Sequence, residues 1–223
     1  MMNLNDIKDG LVVSCQALEN EPLYSSFIMG KMALAAELGG AVGIRANSVA
    51  DILEIKKQVN LPLIGIIKRD YPDSEVYITA TMKEVNELLT TDAEIIAMDA
   101  TVRDRPNHES VTDLVGKIHA ENRLVMADIS TYEEGIMAEK NGFDMVSTTL
   151  SGYTDYTDER DNPDFELLKK LVGNLKIPVI MEGHTTTPEE VKKALNMGAF
   201  SAVVGGVITR PQQITQRFVD KIS

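Results

Sequence analysis

The sequence predicts a single (β/α)8 barrel, the TIM-barrel class of α/β folds, on three observations. Short apolar runs bounded by turn residues alternate with longer segments of helical period, the pattern of βα units around a parallel sheet. Eight such units occupy 223 residues, against about 250 typical of this barrel. No glycine-serine linker or low-complexity tract divides the series, so one domain spanning 1–223 is expected. The competing open doubly wound sheet commonly carries Gly-x-Gly-x-x-Gly after its first strand, whereas here that strand runs into Ser14-Cys-Gln-Ala17.

The first strand is Leu11–Gln16, and after the loop Glu19–Pro22 a helix rich in Ala, Leu and Met ends at Gly39-Gly40, glycine being the usual helix stop. Ala41–Arg45 is the second strand, Asn47-Ser48 caps the helix that follows, and Leu63–Lys68 is the third strand. The loop Arg69–Asp73 leads through Tyr77–Thr81 to the third helix, and Glu94–Asp99 is the fourth strand. Arg103–Pro106 precedes the fourth helix; Leu124–Asp128 is the fifth strand, with Ser130 or Thr131 as the next cap, and Met145–Thr149 is the sixth. Its exit loop, Ser151–Arg160, is long and polar, with a glycine and two tyrosines; it suits a lid and equally an ordinary surface loop. The sixth helix covers Pro163–Val172, Ile177–Glu182 is the seventh strand, Ala202–Gly206 the eighth, and the last helix runs from Pro211 to Val219.

Lys and Arg number 22 against 34 Asp and Glu, a net charge of −12. General attraction to nucleic acid is therefore not expected, although a local basic pocket is compatible with it. The lone Cys15 and an N-terminus without a secretory signal pattern point to the cytoplasm. No uncharged apolar stretch has the length to span a bilayer. His108, His119 and His184 are scattered without metal-ligand spacing, so no metal site is expected.

Barrel chemistry gathers at the carboxyl ends of the strands. The last residues of the apolar runs are Gln16, Arg45, Lys68, Asp99, Asp128, Thr149, Glu182 and Gly205-Gly206. Parity adds to the signal: Lys68 shares a face with Ile66 and Ile64, Glu182 with Ile180, and Asp128 with Met126 and Leu124. Asp99, followed by Ala100-Thr101, reads as a cap. A lysine over an apolar barrel mouth loses water, which disfavours its ammonium form and makes it a base or an amine nucleophile. Glu182 rises from the far side of the mouth, an arrangement suited to removing and returning a proton. Gly183, Gly205, Gly206 and Arg210 read as an anion site after strands seven and eight, where these barrels commonly hold phosphate, the alternative being a tight turn at Gly205-Gly206 with Arg210 on the surface.

Gly43-Ile-Arg45, Gly65-Ile-Ile-Lys68, Ala127-Asp128-Ile-Ser130, Thr148-Thr-Leu-Ser-Gly-Tyr-Thr154, Met181-Glu-Gly183 and Val204-Gly-Gly-Val-Ile-Thr-Arg-Pro211 together resemble the N-acetylmannosamine-6-phosphate 2-epimerases of bacterial sialic acid breakdown, over nearly the whole chain. The resemblance implies an isomerase that interconverts N-acetylmannosamine 6-phosphate and N-acetylglucosamine 6-phosphate without metal or nucleotide cofactor. It implies Lys68 as catalytic lysine and Glu182 as its carboxylate partner, Gln16, Arg45 and Asp128 as holders of the sugar and its acetamido group, and Arg210 with the glycines as the phosphate site. A homodimer is implied by the same likeness. Three other readings compete. A Schiff-base aldolase would use Lys68 as nucleophile, and a sugar-phosphate sensor would need no base. A metal-dependent pentulose-phosphate epimerase would need strand-end histidines, and Ala97-Met98-Asp99 offers a carboxylate alone.

Overall fold

A computed structural model of the chain describes residues 4–222. Eight parallel strands close into a barrel in sequence order: β1 (Leu11–Cys15), β2 (Gly43–Asn47), β3 (Leu63–Ile66), β4 (Ile95–Asp99), β5 (Leu124–Asp128), β6 (Met145–Ser147), β7 (Val179–Glu182) and β8 (Ser201–Val204). β1 pairs with both β2 and β8, which completes the ring. The connecting helices are α1 (Ser26–Leu38), α2 (Val49–Gln58), α3 (Met82–Leu88), α4 (Val111–Ala120), α5 (Tyr132–Lys140), α6 (Phe165–Asn174) and α7 (Pro188–Asn196). After β8 come a short α8 (Gly206–Thr209) and α9 (Pro211–Ile222). The predicted barrel is the observed one.

Alternation along each strand sorts the side chains into two cores. Val12, Ile64, Ile66, Ala97, Met126 and Ile180 fill the barrel interior, while Val13, Ile44, Leu63, Ile96, Val125 and Met181 pack outward beneath the helices. Ile7, from the turn Leu4–Ile7 that precedes β1, joins Val12 and Phe200 in the inner cluster. That end of the barrel is closed by apolar packing, and the polar strand-end residues are left for the other mouth.

Several boundaries differ from expectation, each for a local reason. β2 begins at Gly43 and ends at Asn47. β3 ends at Ile66, and the chain then makes a short antiparallel excursion in which Lys68 bridges Ile78. β6 ends at Ser147 because Thr148 opens a turn, its carbonyl accepting from Ser151 N. Gly205 leaves the extended region, with φ −115° and ψ −97°, and caps α8. Of the two cap candidates for α5 it is Thr131 that accepts from the Glu134 amide, and Glu134 returns a bond to the Thr131 amide. α9 extends to Ile222 with none of its residues buried. Among the described residues no helix is long and apolar enough to cross a membrane.

Candidate active site

The carboxyl ends of the strands surround a cavity of about 540 Å³, within the range of small-molecule sites. Gln16, Arg45, Lys68, Glu182, Gly183, Gly205, Gly206 and Arg210 all line it. Asp128 is fully buried and meets the cavity through Arg45. Asp99 stands apart: its carboxylate accepts from Thr101 N, Thr101 Oγ1 and Arg103, closing an Asx-type turn where a helix cap was expected.

Arg45 is the centre of the buried charge. Its side chain is 1% exposed and donates from Nη2 to Asp128 Oδ2 at 2.5 Å and from Nη1 to Glu182 Oε2 at 2.5 Å. Burial alone would favour a neutral guanidinium, but the two carboxylates outweigh it and hold the proton more firmly than usual. One cation thus serves two anions. Removing one partner of such a buried pair typically costs about 3–5 kcal/mol, because the remaining charge stays desolvated. Desolvation, with Asp128 adding to it, pushes the Glu182 carboxyl above its ordinary range even though Arg45 pulls the other way.

Lys68 lies just beyond β3, on the parity of Ile64 and Ile66, so its side chain enters above the inner core. Its backbone is pinned from two directions: the amide donates to Asn47 Oδ1 at 2.8 Å, and the residue bridges Ile78. Among the described residues its ammonium makes no ion pair. Burial pushes the Lys68 amine down to about 8, helped by the positive charges of Arg45 and Arg210 and opposed by Glu182 and Asp128.

At the other end of the cavity, Gly183 has φ +102°, a conformation that favours glycine. Gly206 opens α8, whose first amides have no carbonyl within their own helix. Thr209 Oγ1 donates to Ser14 O at 2.8 Å and ties this turn to β1. Arg210 faces the cavity, but its guanidinium is held by Glu21, with Nε to Oε1 at 2.6 Å. Burial raises the Glu21 carboxyl, and its bonds from Arg210 and the Leu18 amide more than offset this, leaving it below the usual range.

Sequence reasoning missed Ser14, Ser147 and His184 as site residues, met Tyr153 only as one of two tyrosines in the exit loop, and left Thr149 without a role. Ser14 and Ser147 were accessible to the same parity rule, each standing two residues before a strand-end polar residue. Tyr153 and His184 were not, since their rings stack across two loops, with centroids 4.4 Å apart. His184 Nε2 donates to Ser151 O at 3.0 Å. The exit loop of β6 is stitched down by this bond, by Ser151 to Asp164 and by Tyr156 to Glu134.

Residues 29–223 match the family model described as "Putative N-acetylmannosamine-6-phosphate epimerase". A relative from Clostridium perfringens, described as "Putative N-acetylmannosamine-6-phosphate 2-epimerase", is 67% identical over 97% of this chain and 98% of its own length. One from Clostridioides difficile is 59% identical over 98% of each. The solved structure of the N-acetylmannosamine-6-phosphate 2-epimerase from Clostridium perfringens superposes with a TM-score of 0.97 at 66% identity, over 98% of this chain and 95% of that one. A thiamine phosphate pyrophosphorylase from Pyrococcus furiosus, 16% identical with a TM-score of 0.62, shares the fold.

Proposed function

Because the chain belongs to the N-acetylmannosamine-6-phosphate epimerase family, we propose that it interconverts N-acetylmannosamine 6-phosphate and N-acetylglucosamine 6-phosphate by inverting C2, a step in sialic acid and amino sugar breakdown. The observation that carries the reading is an amine lowered to about 8 by burial, in one cavity with the Glu182 carboxyl and the glycine turns at Gly183 and Gly205-Gly206. A lysine with that value is neutral in roughly one molecule in ten at pH 7. That fraction suffices for a base whose strength must still exceed that of water.

In the open-chain sugar the C2 hydrogen lies beside the C1 aldehyde, so its removal gives a resonance-stabilised enolate. Neutral Lys68 takes that proton, and hydrogen-bond donors around the cavity hold the oxyanion. Reprotonation on the opposite face inverts the centre. Glu182 supports Lys68, its carboxyl raised above the ordinary range by burial. Gln16 keeps its Nε2 on Ser14 Oγ at 2.7 Å, while its buried Oε1 has no protein partner and is free to accept from the acetamido N–H. Arg45 and Asp128 hold the sugar from beneath. Gly183, Gly205, Gly206 and Arg210 hold the phosphate. The step as written needs no metal or nucleotide.

The same reading has one catalytic domain over residues 1–223, working in the cytoplasm on a small phosphorylated amino sugar, without nucleic acid or membrane as partner. It also includes a homodimer. Two surfaces support this: α9 leaves Phe218 and Ile222 exposed, and an apolar groove along Leu11, Val13, Met32, Ala36 and Ile208 lies where the helix after the eighth strand of a barrel would pack. In a pair of chains, α9 of one copy can cover the groove of the other.

The test is proton exchange at C2. N-acetylmannosamine 6-phosphate in deuterium oxide should yield N-acetylglucosamine 6-phosphate carrying deuterium at C2, and Lys68→Ala should lose both. A folded wild-type protein giving neither epimer nor exchange would sink the reading; a borohydride-trapped adduct on Lys68 would then favour the aldolase.

A further inference from the structure

The carboxylates of Asp128 and Glu182 approach each other across a single hydroxyl. Thr149 Oγ1 lies 2.7 Å from Asp128 Oδ1, 3.2 Å from Glu182 Oε2 and 2.8 Å from Ser147 Oγ. Arg45 Nη1 approaches the same oxygen at 3.3 Å, and Ser147 Oγ also reaches Glu182 Oε2, at 3.4 Å. A hydroxyl has one proton to give and two lone pairs. Thr149 therefore cannot donate to Asp128 and Glu182 at once, and a change in one carboxyl must be felt by the other.

We propose that Thr149 is a positioning residue of the reaction, its hydroxyl reversing direction as Glu182 gains and loses a proton. When Glu182 is ionised, the Thr149 O–H alternates between the two carboxylates, donating to one at a time. When Glu182 carries a proton, its own O–H donates to Thr149 Oγ1, and Thr149 gives its proton wholly to Asp128, the shorter contact. No bond other than a hydrogen bond changes, and the number of protons among the three groups is fixed by Glu182 alone. Thr149 thereby aims the Glu182 carboxyl and sets the pH at which it takes up a proton. The inference rests on the epimerase reading for its rate effects, but not for its titration.

The groups that set the Glu182 charge from neighbouring elements are Arg45 on β2, Lys68 after β3, Asp128 on β5 and Tyr153 in the loop after β6; β8 presents Val203 beside it. Arg45 and the Thr149 bond favour the ionised form, whereas burial and Asp128 favour the protonated one. The charge-assisted bond from Thr149 to the ionised carboxylate is stronger than the bond Thr149 accepts from the neutral carboxyl, so losing the hydroxyl should raise the Glu182 pKa further.

The experiment compares Thr149→Val and Thr149→Ser with wild type, by the pH profile of turnover and by a carboxyl-carbon NMR titration of Glu182 in the free protein. Thr149→Val should move the Glu182 titration upward by about one pH unit, and should lower kcat about ten-fold with KM changed less than about three-fold. Thr149→Ser should restore both. An unmoved titration in Thr149→Val overturns the proposal, and so does a Thr149→Ser variant as damaged as the valine, since the methyl packing would then be responsible. The titration needs no substrate. A wild-type protein without epimerase activity would defeat the functional reading and leave the carboxyl coupling still measurable.

Discussion

Lys68 illustrates how function and stability oppose each other at one residue. Its amine falls to about 8 in the folded protein from an ordinary 10.5. Between those two values the unfolded chain holds a proton that the folded chain has released, so this group makes stability rise with pH across that window. Below about 8 the ammonium is present in both states, and its burial is a constant penalty on the fold. Lys68→Met removes the penalty. The variant should be inactive yet melt about 2–6 °C higher than wild type at pH 7, and the gap should close as pH approaches 10.5. A Lys68→Met protein that is no more stable at pH 7, or whose advantage grows with pH, would show that the ammonium is not desolvated. Parity made Lys68 legible in the sequence, as it did Asp128 and Glu182, and Arg45 was read from its place at the end of an apolar run. The amide clamp from Asn47 was not legible, because it depends on how far β2 runs beside β3.

At the scale of elements, alternating apolar runs and capping signals carried the reading, because strand parity and helix capping are local physics. Thr131 with Glu134 and Thr187 with Glu190 close capping boxes directly after β5 and β7, which keeps those βα connections short. What escaped was that α9 buries none of its residues against its own barrel. The last helix was expected over Pro211–Val219 and runs to Ile222, and a helix period does not say which surface its apolar stripe covers. In the structure Ile214, Phe218 and Ile222 recur every four residues along α9, and Phe218 is 71% exposed. If that stripe lies in the groove of a second copy, Phe218→Glu should yield a folded monomer by sedimentation, with unchanged far-ultraviolet circular dichroism. A variant that still sediments as a dimer would remove α9 from the contact, and a monomeric wild type would remove the dimer.

For the whole molecule, the barrel encloses its inner core completely, yet one stretch of its outer wall, between β1, α1 and α8, remains open. Each chain carries a net charge of −12, so two copies repel at long range, and the attraction between them must come from burying apolar surface. In the proposed dimer, folding and association become one equilibrium, in which a higher protein concentration favours the folded pair. With about 0.7 kcal/mol of unfolding enthalpy per residue, a pair of 223-residue chains should melt in one transition whose midpoint rises about 1–2 °C for each ten-fold increase in concentration. Phe218→Glu should melt lower, and at a temperature independent of concentration. A wild-type midpoint that stays fixed over a hundred-fold range would mean that the barrel is stable with its wall uncovered. Two separate transitions would mean that the chain is not a single cooperative domain.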